Sequence, residues 1–228
     1  YSLAHEMGIE RAHDVLDKFG FGKKTNIDIV GEVAGLNPSR EWKRKTQGQP
    51  WFPGETLIVG IGQGSSLVTP IHLAVATTAI ANRGRPVKPH LFASARDSIS
   101  NEIVDLYKAD EIDLIDIPNT QHWQEIIEAM TEVMHGQRGT ARRVGQSATY
   151  TMAGKTGTAQ IIAIGQDEEY EADEVPEELR DHALFIAFAP VEDPKIALAI
   201  IVENGGSGSS SAAPIARILF DHYLQGKG

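Results

Sequence analysis

Lys155, Thr156, Gly157 and Thr158 set an ammonium, a hydroxyl, a residue without a side chain and a second hydroxyl on four consecutive positions. They lie within residues 150–162, a stretch that continues through Ile161 and Ile162 and has the character of a strand. On an extended chain Lys155 and Gly157 share one face, and Thr156 and Thr158 share the other. Gly157 would let a second backbone lie close against the strand, and an edge strand would offer that visitor unpaired N–H and C=O groups. Capture of an extended peptide as an added strand is the chemistry this combination suits.

Two other readings use the same residues. Gly154-Lys155-Thr156 ends like a phosphate loop, but that pattern requires glycine where Thr149 stands and a helix directly afterwards. Ile161, Ile162 and Ile164 continue as strand formers instead, so the phosphate loop is set aside. The other reading is an exposed strand on which the Lys155 stem lies along apolar surface with its ammonium in water. Taken alone, the four residues leave peptide capture and this plainer role open.

Much other chemistry is excluded by composition. The chain has no cysteine, which removes disulfides, thiolate catalysis and cysteine–zinc sites. Its eight histidines are scattered with no H-x-x-x-H pair, so no metal site is expected, and no cofactor either. The formal net charge of −10 argues against nucleic acid as a partner. No apolar run approaches the length of a membrane span.

The strand must be held by elements elsewhere in the chain. Ile9, Ala12, Leu16 and Phe19 recur at helical spacing and Gly20 follows, so a helix is expected over about 9–19, separated by Gly8 from a preceding turn. Residues 20–56 are rich in glycine and proline; a short strand at 27–29 and a helical turn capped by Asn37 with Pro38 first are expected there. Lys43, Arg44 and Lys45 beside Trp42 read as a solvated basic face. Gly60-Ile61-Gly62-Gln63-Gly64 is not a dinucleotide fingerprint, because the spacing differs and no strong strand precedes it.

Thr69 as cap and Pro70 at the first position open a helix to Asn82 that is apolar or small on nearly all sides, hence buried. Short strands are expected near 87–92 and 102–106, then a helix capped by Asn119 or Thr120 with Trp123, Ile127, Met130 and Met134 on its core face. Arg138, Arg142 and Arg143 add positive charge just ahead of the strand, as surface or as an anion-attracting flank. Beyond it, 167–178 carries many Asp and Glu residues and no base, which reads as a mobile solvated loop. Residues 183–190 and 196–202 form an expected antiparallel hairpin, 204–211 a flexible connection, and Pro214 opens a last helix.

The order of four motifs carries a family resemblance. K-T-G-T-A-Q at 155–160, G-I-G-Q-G leading to Thr69-Pro70, R-D-H at 180–182 and E-N-G-G at 203–206 closely resemble the C-terminal part of bacterial penicillin-binding proteins, above all the class B transpeptidases of the cell-elongation machinery. The resemblance covers essentially the whole chain. It implies an α/β fold of α+β type, an antiparallel sheet with flanking helices, shared with β-lactamases. Residues 1–149 would be its mainly helical and loop part, and 150–228 the K-T-G strand, hairpin and C-terminal helix.

For function, the resemblance implies a peptidoglycan D,D-transpeptidase acting through an acyl-serine and inhibited by β-lactams, on the periplasmic face of the inner membrane. Its partners would be the stem peptide, β-lactams and membrane proteins of the elongation machinery. Lys155 would supply charge and help to hold a ligand carboxylate, Thr156 and Thr158 would hydrogen-bond it, Gly157 would admit the peptide, and the Thr158 N–H would be one oxyanion donor. The family's S-x-x-K and S-x-[ND] motifs are found at no serine here. The expectation is therefore a truncated domain without its nucleophile, inactive alone, whose uncovered apolar surface promotes association. A serine β-lactamase-like hydrolase and a non-catalytic module stay open as alternatives.

Overall fold

Strand β3, numbered after two short strands described below, spans Ala153–Ala159 and is the outer member of a three-stranded antiparallel sheet. The computed structural model describes residues 1–110, 112–161 and 175–226. Strand β4 (His182–Ala189) lies in the middle and β5 (Ile196–Val202) beyond it. Lys155 stands opposite Ile186, Gly157 opposite Leu184 and Thr158 opposite Ala183. The central strand is nearly continuous apolar sequence because both of its faces are covered.

Alternation along β4 sorts the core into two layers. Ala183, Phe185, Ala187 and Ala189 pack with Ala213, Ala216 and Phe220 of the C-terminal helix α7 (Ala213–Gln225). Phe188, with Ala153 of β3, faces Ala81, Ile127 and Met130 on the opposite side. Those residues belong to α4 (Pro70–Ala81) and α5 (Gln121–His135). The helix read as buried is α4: Thr69 Oγ1 accepts from the His72 N–H at 3.3 Å, and His72 is itself buried. Its Nε2 donates to the Lys23 carbonyl while Nδ1 lies 2.9 Å from Thr69 Oγ1, which ties the glycine-rich segment to the helix start.

The remaining elements are α1 (Ser2–Lys18), α2 (Arg40–Gln47), α3 (Pro53–Val59), the strands β1 (Ser94–Arg96) and β2 (Ile103–Leu106), and α6 (Arg142–Gly145). β1 and β2 pair as an antiparallel ribbon that buries neither face.

Several local expectations are corrected. Gly8 does interrupt α1, at φ 73° and ψ 161°, but the residues before it are helical and not a turn. No strand forms at 27–29, because Asp28 spends its carboxylate on the N–H groups of Leu91 and Phe92, at 2.6 and 2.7 Å. The cap of α2 is Ser39, whose Oγ accepts from Trp42 N at 3.1 Å; Asn37 instead donates to the His13 carbonyl at 3.0 Å. Lys43 is not on a solvated face. It is 3% exposed and pairs with Glu55 at 2.5 Å, with its ammonium 4.6 Å from the Phe52 ring centroid.

The strand expected near 87–92 begins only at Ser94. Asn119, of the two candidate caps of α5, makes the bond: its Oδ1 accepts from Gln121 N at 3.0 Å. The strand expected over the longer stretch is confined to 153–159. The connection after β5 is partly regular, since Gly208–Ala212 forms one π-helical turn leading into α7. The acidic stretch read as a mobile loop falls mostly on 162–174, outside the described residues.

Candidate active site

Among the described residues β3 has one neighbouring strand, so its outer edge is open to other groups. The Thr156 carbonyl accepts from Lys155 Nζ at 2.8 Å, and the Thr158 carbonyl accepts from Gln63 Nε2 at 2.9 Å. In an antiparallel pair, alternate residues exchange both main-chain bonds with the partner. The two carbonyls that take side-chain donors therefore belong to the outward set, and the Thr158 N–H faces outward with them. Lys155 and Gly157 direct their main-chain groups to β4.

The side chains diverge as alternation requires. Lys155 projects on the α5 side, where with Arg138, Glu132 and Thr140 it borders a cavity of about 250 Å³. Thr156 projects on the other, and its Oγ1 lies 3.2 Å from Thr140 Oγ1. Lys155 and Thr158 are exposed, Thr156 and Gly157 half-buried. Beside Gly157, Thr158 and Ala159 opens an apolar cavity of about 520 Å³, walled by Leu16, Phe21, Leu36, Val59, Leu73 and Leu184.

Gly157 was expected to admit a visiting backbone, and the chain's own π turn already touches it. A Cβ on Gly208 would stand 2.6 Å from the Gly157 carbonyl oxygen and 2.3 Å from that of Leu184. Only glycine fits against the two strands at this point.

Two motifs that had no assigned role in the sequence meet at the end of the sheet where Ala159 stands opposite His182. Asn204 donates through Nδ2 to the carbonyls of Glu178 and Arg180 at 2.9 and 3.1 Å, and through its main chain to His182 Nδ1 at 2.9 Å. The Gly206 N–H donates to the Asp181 carbonyl at 2.8 Å. E-N-G-G thus straps R-D-H and fixes how β4 begins.

The approach to β3 is anchored by charge. Arg217 of α7 donates to Asp221 at 2.8 Å, to the Val144 carbonyl at 3.0 Å and to the Ser147 carbonyl at 3.1 Å. Tyr150 Oη donates to Asp221 at 2.8 Å, and burial, reinforced by that bond, holds the phenol well above its ordinary value. Directly before the strand, His135 Nε2 accepts the Met152 N–H at 3.1 Å. Among the described residues no group of three or more His, Asp or Glu side chains is set to hold a metal.

Lys155, Thr156, Gly157 and Thr158 lie on the strand expected from the sequence, whereas Gln63 and Asn204 were not foreseen as contacts. Their motifs had been noticed, but a tertiary contact across 95 residues leaves no local signal in composition or periodicity.

Known proteins share this sequence and fold. The model of the penicillin binding protein transpeptidase domain matches residues 1–221. Haemophilus influenzae peptidoglycan D,D-transpeptidase MrdA is 40% identical over 226 residues, which is 98% of this chain and 34% of the relative. Mycobacterium tuberculosis peptidoglycan D,D-transpeptidase PbpA is 31% identical over 182 residues, covering 75% of this chain and 32% of the relative. The chain thus spans about a third of the length of these curated relatives.

Among solved structures, Pseudomonas aeruginosa PBP2 in complex with WCK 5153 superposes with a TM-score of 0.82 at 44% identity, over 98% of this chain and 46% of that one. Helicobacter pylori PBP2 in complex with MreC gives 0.80 at 31% identity, over 99% and 38%. The antiparallel sheet with helices on both faces is the architecture of these neighbours. With the family model, the relatives and the solved structures matching along nearly all of its length, the chain belongs to the penicillin-binding protein transpeptidase domain family.

Proposed function

We propose that this chain is the K-T-G-bearing part of a peptidoglycan D,D-transpeptidase, an enzyme that joins cell-wall stem peptides through an acyl-serine and is acylated by β-lactams. The observation that carries this reading is the open edge of β3, on which Thr156 and Thr158 turn their main-chain groups outward beside the Lys155 ammonium. An acyl donor laid along that edge would place its terminal carboxylate against Lys155 and the hydroxyls of Thr156 and Thr158. The Thr158 N–H would donate to the oxyanion that forms when a serine hydroxyl adds to the scissile carbonyl. One such preorganised donor is worth roughly 3–4 kcal/mol in the barrier. Collapse of that intermediate would expel the terminal residue as an amine, and the amine of a second stem peptide would then take the acyl group from the serine.

The serine belongs to residues other than these 228, since S-x-x-K occurs nowhere among them. We take 1–149 and 150–228 as two parts of one transpeptidase domain, because α4 and α5 of the first cover the sheet of the second. No helix of the described residues is long and apolar enough to cross a membrane. A periplasmic position at the inner membrane would rest on an anchor outside this sequence. The complex of the Helicobacter pylori relative with MreC supports an elongation-machinery protein as partner.

The test is labelling with a fluorescent penicillin. The 228-residue chain stays unlabelled, and the polypeptide extended upstream through both missing motifs is labelled stoichiometrically at the serine of S-x-x-K. A label mapped to any serine of the present sequence would end this reading.

A further inference from the structure

Arg138, Arg142 and Arg143 fall within six positions that contain no acidic residue, on a chain whose net charge is −10. The roles given to the K-T-G strand leave all three unused. Arg142 and Arg143, with Thr140, Gln146, Ser209 and Ser210, line a cavity of about 460 Å³ that has no carboxylate in its wall. Gly139 and Thr140 are shared between this wall and that of the smaller cavity holding Lys155. The Thr140 hydroxyl at this partition is the one bonded to Thr156. The two cavities therefore adjoin at the K-T-G strand.

The lining suits an anion of a particular kind. A guanidinium presents a planar fork of donors that matches a carboxylate, and hydroxyls complete its remaining lone pairs. Ser209 and Ser210 come from the π turn whose Gly208 is pressed on Gly157, so their positions are coupled to the strand, and π turns recur at functional sites. With the Gln146 amide turned so that its oxygen faces Arg142, that oxygen accepts from the Arg142 Nε and Nη2 at 2.9 Å and holds the guanidinium in place. The Arg143 side chain makes no hydrogen bond or ion pair among the described residues and is exposed. One arginine is thus positioned and the other is available.

We propose that this cavity is a second carboxylate site, taking one carboxylate of a peptide whose other carboxylate is held by Lys155, Thr156 and Thr158. The pairing of the two anchors rests on the K-T-G reading; the anion affinity of the cavity does not. The ligand class is an acidic peptide ending in a free carboxylate.

The experiment uses the 228-residue chain labelled with ¹⁵N and three probes: glutarate, and two acetylated peptides with a free C-terminal carboxylate that carry glutamate or glutamine three residues before the C-terminal residue. Glutarate should shift the amides of Thr140, Ser209 and Ser210, and these shifts should vanish in Arg142→Gln/Arg143→Gln. The glutamate peptide should bind roughly tenfold more tightly than the glutamine peptide, the equivalent of about 1.4 kcal/mol. Arg143→Ala, which removes no contact of the folded chain, should reduce that ratio several-fold and leave the glutamine peptide unaffected. Lys155→Ala should weaken both peptides alike.

A ratio near one in the native chain, or a ratio that survives both arginine variants, would overturn the proposal. If glutarate acts as expected while neither peptide binds, the cavity stands as an anion site and the K-T-G reading is what fails, together with the claim that the two anchors hold one peptide.

Discussion

The side-chain amide of Gln63 donates to the main-chain carbonyl of Thr158 at 2.9 Å, joining the G-I-G-Q-G turn to the edge of β3. This is the carbonyl an added strand would use, so Gln63 occupies the place of a peptide N–H. Gln63→Ala removes an intramolecular competitor worth about 1 kcal/mol net. The expected outcome is severalfold tighter binding of an extended peptide with a free C-terminal carboxylate, measured by calorimetry. Weaker binding would mean that Gln63 holds the edge in shape and does not merely cover it.

Lys155 contributes charge at an exposed position and no core packing. In the polypeptide extended through the nucleophile motif, Lys155→Ala should lower the rate of penicillin acylation by at least tenfold with an unchanged melting temperature. A melting temperature that falls along with the rate would assign Lys155 to the scaffold.

Arg217 connects α7 to the segment that enters β3, through Asp221 and the carbonyls of Val144 and Ser147. Arg217→Ala takes a donor from these carbonyls and from Asp221, which keeps those of Tyr150 and Gln225, at a cost of about 2–3 kcal/mol. Phe220→Ala, a cavity in the layer between α7 and the sheet, should cost about 3–5 kcal/mol. Urea denaturation measures both; the ranking would be refuted by an Arg217 variant less stable than the Phe220 variant.

The N–H groups of Leu91 and then Phe92 hold the Asp28 carboxyl below its ordinary value of 3.8. A carboxyl depressed in the folded state stabilises it at pH values above 3.8, and the contribution is lost as pH falls through the lower folded value. The amide shifts of Leu91 and Phe92 should accordingly titrate together with a midpoint below 3.8. A midpoint at or above that value would show that the carboxylate does not hold this segment.

Leu67, Ile61 and Val68 are 60, 50 and 40% exposed, the last two at the rim of the apolar cavity beside the strand. Apolar surface of this kind favours self-association. Light scattering should show a mass that rises with concentration, and Leu67→Lys should reduce it. A monomer at every concentration would count against the expectation.

What the sequence made legible was set by short-range physics. The apolar run of β4, the Thr69-Pro70 start of α4 and the stripe of α5 each follow from periodicity or capping within a few residues. Lys155, Thr156, Gly157 and Thr158 could be assigned to faces of a strand, because alternation requires no tertiary knowledge. The failures lie where a distant partner outweighs a local preference. Asp28 bonds across more than sixty positions of sequence instead of joining a strand, and Lys43 sinks beside Glu55 and Phe52 where composition alone put it in water. Gln63 and Asn204 belong to the same class.

Gly208 has a consequence for inheritance. Every other amino acid carries a Cβ, and at this position that atom would fall 2.3 Å from the Leu184 oxygen. No replacement at codon 208 is therefore neutral for the protein. Any replacement must lift the π turn from β3 and β4, and would carry Ser209 and Ser210 away from the wall they share with Arg142. A lineage drifting toward a reshaped cavity is closed to change at its glycine and open at its arginines, so variation in ligand preference should accumulate at 142 and 143 and not at 208.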